Sequence, residues 1–357
     1  MATNTLTLVD LMQRRGDTPL DRKVVDDVAE SAPLFNALPA KVISGTTYKY
    51  MRRDSIPMIG ARPLNAGAEM LKSSYSTASA EAFAYDGMIL VDKMLAEADP
   101  DGKNALMAEE MRNHLRGTLF GLEQGLIYGK DKDKFGTWGL VNLIADYMTM
   151  SADPDANTES TRKEGGSSIW FINASNDYMN TIYGNSKTIT FGPEKLQDVP
   201  RPTGYTEGED GHTAMGSMEA YIRHCSFWFG FALKSVWAAG RIVNESASNP
   251  CTDALLAQML RKFPASHKPT HIVMNQATLA RWEESRTKAL TYVKGRSNGG
   301  VIADTPTEFR GMKVIVTDAL LENETAAEIA RLRGKNIVSV EDFMDTTSML
   351  TNNNKPA

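Results

Sequence analysis

The sequence predicts an α+β protein of two interleaved lobes with a long β excursion thrown outward, and three observations predict it. A narrow amphipathic arm comes first, within residues 1–40; a stretch rimmed by glycine and proline follows, from Ser44 to Met88; then a helical segment carries glycine at four-residue steps, Gly117, Gly121, Gly125 and Gly129. A β-rich block follows, built around Trp228, Gly230 and Arg241-Ile242-Val243-Asn244. No catalytic constellation appears among these signals.

The arm opens on Thr18-Pro19, an N-cap followed by proline at the first helical position, and Val24, Val25 and Val28 then share one face of a helix ending before Pro33. That stripe is too thin to hold an independent domain. From Ser44 to about Arg53 the chain alternates, Thr47, Lys49 and Met51 against Tyr48, Tyr50 and Arg52, the two-residue period of a strand exposed on one side. A second β-prone run goes from Ser73 to about Tyr85. Between them Ser55 to Gly67 is broken by Pro57, Gly60, Pro63 and Gly67, which forbid a helix and suit a central strand badly. The reading is a two-stranded ribbon that needs something to rest on, because isolated ribbons are marginal in water.

Residues 102–129 carry the strongest helical period, with Leu106, Met107, Met111, Leu115, Leu119, Leu122 and Leu126 along one face. Such a helix is about 40 Å long. Each interior glycine costs about 1 kcal/mol relative to alanine unless a close backbone approach returns it. The plainer expectation for the glycine stripe is therefore one tight crossing within the chain.

Ser151 to Ser168 reads as a surface loop, Ile169 to Ile172 as a strand, Asp177 to Tyr183 as helix-like, Lys187 to Phe191 as a strand and Thr203 to Ser217 as a Gly-rich loop. Tyr221 to Phe231 alternates strictly and is expected to turn at Gly230 into a second strand, with a helix possible at Ser235 to Ala239. Thr252 to Phe263 reads as a helix stopped by Pro264, His271 to Met274 as a strand, Gln276 to Ser285 as a helix and Met312 to Thr317 as a strand.

Composition narrows the function classes. With 357 residues, 42% hydrophobic and 23% charged, the chain is an ordinary globular one of about two domains. It shows no signal peptide and no apolar run of membrane length, so it is expected to be made and used in a cytosol, with no membrane partner. Cys225 and Cys251 are expected as thiols. A net charge of -5 without a basic stripe speaks against sequence-specific nucleic-acid reading.

Glu207, Glu209, Asp210 and His212 form the one polar cluster that invites a metal, but they fit neither zinc nor calcium spacing and read as a solvated loop. His224 and His271 are isolated, Ser235 and Cys225 lack a nucleophile's surroundings, and Gly295 to Gly300 has the wrong spacing for a phosphate loop. No catalytic, metal or cofactor residue is assigned. A metal-dependent hydrolase using the Glu207 to His212 loop remains the reading from a different class.

Several of these features together resemble the major capsid proteins of tailed double-stranded DNA phages, of the Hong Kong 97 type. The residues that carry the resemblance are Tyr48-Lys49-Tyr50 through Arg62-Pro63-Leu64-Asn65-Ala66-Gly67, the helix leading to Leu126-Ile127-Tyr128-Gly129, Trp228-Phe229-Gly230 with Arg241 to Asn244, Met274-Asn275, and Phe309 to Gly311 with Thr317 to Leu320. The resemblance implies an N-terminal arm at 1–40, an extended β-hairpin loop at 41–88, a peripheral domain with a long spine helix at 89–136, a mainly axial domain at 137–310 and a return strand with C-terminal tail at 311–357. It implies a non-enzymatic shell protein forming pentamers and hexamers around DNA, located in the virion and assembled in the host cytoplasm. A separate scaffolding protein, a portal and a decoration protein are the implied partners, and an encapsulin-like compartment is the alternative in the same fold class. Gly117, Gly121, Gly125, Gly129, Arg52, Arg53, Arg62, Asn65, Trp228 and Arg241 are the candidate structural and interface residues. The helix-like Ala326 to Arg333, the apolar Ile337 to Val340 and the polar Thr351 to Ala357 match nothing in that pattern.

Overall fold

The computed structural model describes residues 32–55, 59–67, 70–129, 139–153, 166–207, 212–294 and 304–324. The Thr18-Pro19 helix start, the segment 295–300, residues Glu209 and Asp210, and everything after Glu324 lie outside the described residues.

The chain enters through a short helix α1 (Pro33–Ala37) and strand β1 (Ala40–Val42), and then β2 (Thr47–Ser55) and β3 (Ser74–Glu81) pair antiparallel as a two-stranded ribbon. Strand β4 (Phe83–Asp92) returns to the body and leads into α2 (Lys93–Ala98), whose first turn is capped by Asp92 accepting from the Met94 N–H at 2.9 Å. The long helix α3 (Lys103–Tyr128) follows. After α4 (Leu140–Leu143) come β5 (Thr149–Ser151), β6 (Ser167–Ile172), β7 (Met179–Tyr183), β8 (Thr190–Phe191), β9 (Lys195–Glu207) and β10 (His212–Leu233). The last elements are β11 (Ala239–Glu245), α5 (Asp253–Leu260), β12 (His271–Met274), α6 (Gln276–Lys294), β13 (Glu308–Phe309) and β14 (Met312–Val316).

Two six-stranded sheets organise these pieces. The first runs β1-β7-β10-β4, with β8 and β9 also paired to β10; the second runs β13-β14-β12-β6-β11-β5. The chain visits the first sheet, then the second, the first again and the second again, so neither half is a continuous segment. Helix α3 buries Met107, Met111, Leu115, Leu119, Leu122 and Leu126 in a core shared with Phe227 and Phe229 of the first sheet and Trp170 and Val273 of the second. The expected alternation of β10 is present: Cys225, Phe227, Phe229 and Phe231 are buried while His224 and Ser226 are exposed.

Four expectations need correction. First, β10 does not turn at Gly230; it runs on to Leu233 and pairs with β7 through Phe229 to Leu233. Gly230 is there because a side chain would overlap the Glu81 carbonyl oxygen and Ala82, where the chain passes between β3 and β4. Second, Met179 to Tyr183 is a buried strand, because its five residues close the first sheet between β1 and β10. Third, most of Thr203 to Ser217 is no loop: β9 and β10 pair out to Glu207 and His212. Strand β9 carries two extra residues between Pro202 and Thr206, a bulge that includes Gly204.

The fourth correction concerns the glycine stripe. A Cβ on Gly117 would meet nothing within 4 Å, and Gly121 and Gly125 are likewise only half-buried. Among the described residues no crossing accounts for Gly117. Gly129 differs from the other three: it ends α3 with φ +70° and donates its N–H to the Gly125 carbonyl at 2.9 Å, a left-handed cap that favours glycine.

Two glycine substitutions separate these roles in the unassembled protein. Gly230→Ala forces the Glu81 backbone aside and lowers unfolding free energy by about 1–3 kcal/mol in denaturant titration. Gly117→Ala, in a helix with room for the methyl group, raises it by about 0.5–1 kcal/mol.

Candidate functional site

Outside the core, the three most exposed large apolar side chains among the described residues lie in the loop that joins β2 and β3. Met51 is 71% exposed, Ile59 90%, Leu64 94% and Met70 100%, with Leu71 and Tyr75 also exposed. Single exposed apolar residues are unremarkable, but a run of them along one loop marks it as a candidate contact surface. Candidate residues Arg52 and Arg53 stand in the ladder opposite Ser76 and Tyr75. Arg62 donates from Nη1 to the Ala66 carbonyl at 2.5 Å, and Asn65 takes φ 66°, so both shape the tip of the loop.

The ribbon is rooted firmly at its base. Tyr48 and Tyr50 stack at 5.8 Å, the Tyr50 hydroxyl donates to the Leu233 carbonyl at 2.9 Å, and the Lys41 ammonium lies 4.3 Å above the Tyr48 ring. Trp228, half-buried on the outer face of β10, packs against the small cluster of Ala82, Ile182 and Ala232 that also receives these tyrosines. Trp228 is thus a root of the ribbon inside its own chain.

Buried polar groups fasten the segments at Leu34 and from Thr317 to Glu324 to α3. Glu123 accepts the Leu34 backbone N–H at 2.7 Å and the Thr317 hydroxyl at 2.8 Å, joining α1 and the segment after β14 to the helix. One helical turn on, the Tyr128 hydroxyl donates to Glu324 Oε1 at 2.8 Å and accepts the Leu321 N–H at 2.9 Å. Arg241 is the fourth member: its guanidinium meets Glu324 Oε2 at 2.5 Å and Ser168 Oγ at 2.7 Å, over the Trp170 ring. Both ionic partners are almost wholly buried, Arg241 4% and Glu324 3% exposed, so Arg241 is a core residue rather than a surface one. Breaking such a pair by removing one partner costs about 3–5 kcal/mol. A second lock joins Glu245 to Arg281 at 2.6 Å and to the Thr278 hydroxyl at 2.7 Å, tying β11 to α6.

Among the described residues, the cysteines, Ser235 and His271 have these surroundings. Burial pushes the Cys225 thiol up to about 12 and the Cys251 thiol well above its usual value, so neither is a thiolate at neutral pH. Ser235 accepts from the Trp237 N–H at 3.3 Å as a helix cap. His271 is held below its usual pKa by burial and by Lys313, with its Nδ1 2.8 Å from the Thr270 hydroxyl. Among the described residues no three His, Cys, Asp or Glu side chains converge as metal ligands, and no helix is long and apolar enough to cross a membrane. Glu207 and His212 face each other in the β9–β10 ladder. Sequence reasoning missed Glu123, Tyr128 and Glu324; the signal present was polar residues at positions of α3 that its period assigns to the core.

The family model described as Major capsid protein GP7 matches residues 21–328. A structure of bacteriophage Epsilon15 superposes with a TM-score of 0.52 at 17% identity, covering 80% of this chain and 87% of that one. The bacteriophage JBD30 capsid aligns at a TM-score of 0.43 and 11% identity (79% and 88% covered), and an encapsulin complex from Synechococcus elongatus at 0.38 and 10% (60% and 87%), both too loosely to carry an argument. No curated protein matches the sequence.

Glu123 makes the frame sensitive to pH. Burial raises its pKa from 4.5 to about 7, against the opposing hydrogen bonds from Thr317, Leu34 and Phe35, and the nearby Asp318 carboxylate adds to the rise. The folded protein therefore holds a proton that the unfolded chain releases, so this stabilisation is full below about pH 4.5 and is lost as pH rises through about 7. Glu123→Gln keeps the shape and removes the titration. The stability difference between variant and wild type should shift in the variant's favour by on the order of 3 kcal/mol between pH 4 and pH 8, read from denaturant unfolding at each pH.

Proposed function

This chain belongs to the Major capsid protein GP7 family, and we propose that its copies close into pentamers and hexamers of an icosahedral phage head, each ribbon lying across a neighbouring subunit. The match over residues 21–328 carries the reading, with the Hong Kong 97-type fold supported by the Epsilon15 superposition. The protein is a structural one, a phage major capsid protein. Its virion location follows from that, and assembly in the host cytoplasm is part of the proposal.

The energetics of the ribbon support this use. Two strands without a third layer are marginal alone, and apolar residues exposed at 90–100% gain nothing until another surface covers them. A contact between two different patches of one protein generates rings when its rotation closes, which is how one chain makes both five- and six-membered capsomers. Gly117, Gly121 and Gly125, half-buried on α3 with room beside Gly117, offer a second flat contact strip, and Arg52, Arg53 and Arg62 bring positive charge to the ribbon. DNA is enclosed without being read, consistent with the net charge of -5. A separate scaffolding protein, a portal and a decoration protein complete the proposed set of partners. The family match favours a phage head over an encapsulin-like compartment.

The test expresses the chain with its neighbouring genes and examines it by negative-stain electron microscopy and sedimentation. Closed uniform shells are expected; a monomer or dimer under every condition overturns the proposal. Replacing Ile59, Leu64 and Met70 together by aspartate should leave the melting temperature within about 2 °C, because all three are exposed, while reducing shell yield at least tenfold. Unchanged shell yield from that variant would remove the ribbon from the assembly contact.

A further inference from the structure

Strand β10 is longer than the sheet that holds it. Strand β4 covers one edge of β10 from Ala220 to Phe229, and β9 lies along the other from His212 to Ile222. From Thr213 to Glu219, β10 therefore has β9 on one side and no described strand on the other.

The two edges of this projecting hairpin are not equivalent. In an antiparallel ladder alternate residues point their N–H and C=O at the partner strand or away from it. Pro200 stands opposite Ser217 and Pro202 opposite Met215. Proline has no N–H for the ladder, and these two, spaced two apart, share the orientation that points away from β10. The outer edge of β9 thus lacks a donor at two successive outward positions, which closes it to strand addition. By the same register Met215, Ser217 and Glu219 of β10 point their backbone groups outward, and each has an N–H to give.

Those outward positions are symmetric about Gly216. Two β10 strands laid antiparallel across a two-fold axis at Gly216 pair Met215 of one copy with Ser217 of the other, and Thr213 with Glu219. Gly216 then faces itself in a non-hydrogen-bonded pair, where Cα atoms approach to about 4.5 Å and opposing side chains crowd most. Glycine removes that crowding. The available interval is bounded by β4 beginning at Ala220 and by the end of the hairpin at His212, so a longer strand would run into Asp92. An antiparallel second copy brings a strand of the same length, with its own β4 displaced to the far end.

We propose that the β10 edge from Thr213 to Glu219 is a self-complementary contact, at which a second copy of this chain adds its own β10 and the two hairpins fuse into one four-stranded sheet across a two-fold axis. The inference rests on the shell reading only in that assembly brings the second copy into place; it adds a contact distinct from that of the β2–β3 ribbon.

Two variants of the full chain, co-expressed with its neighbouring genes, test it. Gly216→Cys places two thiols within disulfide reach only if the strand pairs with itself at this residue. Ser217→Pro removes an outward N–H but takes none from β9, since Ser217 faces Pro200. The expected results are disulfide-linked dimers on non-reducing gels of oxidised Gly216→Cys shells, and at least a tenfold loss of shells from Ser217→Pro with an unchanged circular dichroism melt. Gly216→Cys shells without the cross-link overturn the self-pairing, even if Ser217→Pro blocks assembly, because a different strand then occupies the edge. Should Ser217→Pro fail to fold, the cysteine variant decides alone. If wild type forms no shells, the shell reading fails separately. The edge is then judged by cross-linking of concentrated soluble Gly216→Cys protein, where dimers support it and their absence overturns it.

Discussion

The frame of this molecule depends on two polar side chains at the C-terminal end of α3, Glu123 and Tyr128. Apolar burial alone would hold the helix against the sheets without fixing where it sits, because the hydrophobic effect is not directional. Hydrogen bonds from buried groups are directional, and leaving one unmade costs about 1–3 kcal/mol. Five residues apart, the two groups lie about 7.5 Å from each other along the axis. Glu123 takes the first N–H groups of α1 and the Thr317 hydroxyl; Tyr128 takes the Leu321 N–H and holds Glu324 for Arg241. The entering segment and the returning segment are thereby brought to one end of one helix. A chain that alternates between two sheets needs such a closure, since neither sheet is made of consecutive strands.

The counterpart of α3 is β10. At 22 residues it is far longer than the usual strand of 3–10, and it accepts β4, β7, β8 and β9 along different stretches of its two edges. Inside the body that length keeps the first sheet continuous past Gly230, where the absence of a side chain lets the chain between β3 and β4 pass against it. Beyond the body the same length becomes a second projecting hairpin, at the end of β10 opposite to the one where the β2–β3 ribbon is rooted. Among the described residues both projections have backbone edges or apolar side chains with no layer over them, whereas Glu123, Tyr128, Arg241 and Glu324 in the interior are paired within the chain. Folding and association thus draw on different parts of the surface and need not compete.

What the sequence revealed, and what it concealed, follows from this division. The α3 period, the β2–β3 alternation and the alternation through Phe227 and Phe229 were legible because each is a local pattern set by one buried face. The second hairpin was not, because Thr203 to Ser217 is rich in glycine and threonine, so no apolar period marks it as strand. Met179 to Tyr183 misled for the opposite reason: buried on both faces, it shows no alternation either, and five residues are too few to choose between helix and strand. Arg241 was singled out as part of a pattern, but its partner Glu324 lies 83 positions away and only the fold brings them together. The glycines of α3 carried two meanings in one spacing, a half-buried strip at Gly117 and a left-handed cap at Gly129, and spacing alone does not separate them.

The pair Pro200 and Pro202 shows how the same physics that excludes a partner can select one. A hairpin projecting beyond its sheet exposes two edges, and two open edges would let strands add on both sides without limit, the route to fibres rather than closed shells. Closing one edge with proline leaves a single addition, and an edge that is symmetric about Gly216 is completed by one antiparallel copy of itself. Growth through that contact therefore stops at two chains. A shell needs contacts of both kinds, one that turns a ring and one that joins rings without propagating. The β2–β3 ribbon has the character of the first, since its apolar tip must meet a different surface. The open β10 edge, left single by the prolines of β9, has the character of the second.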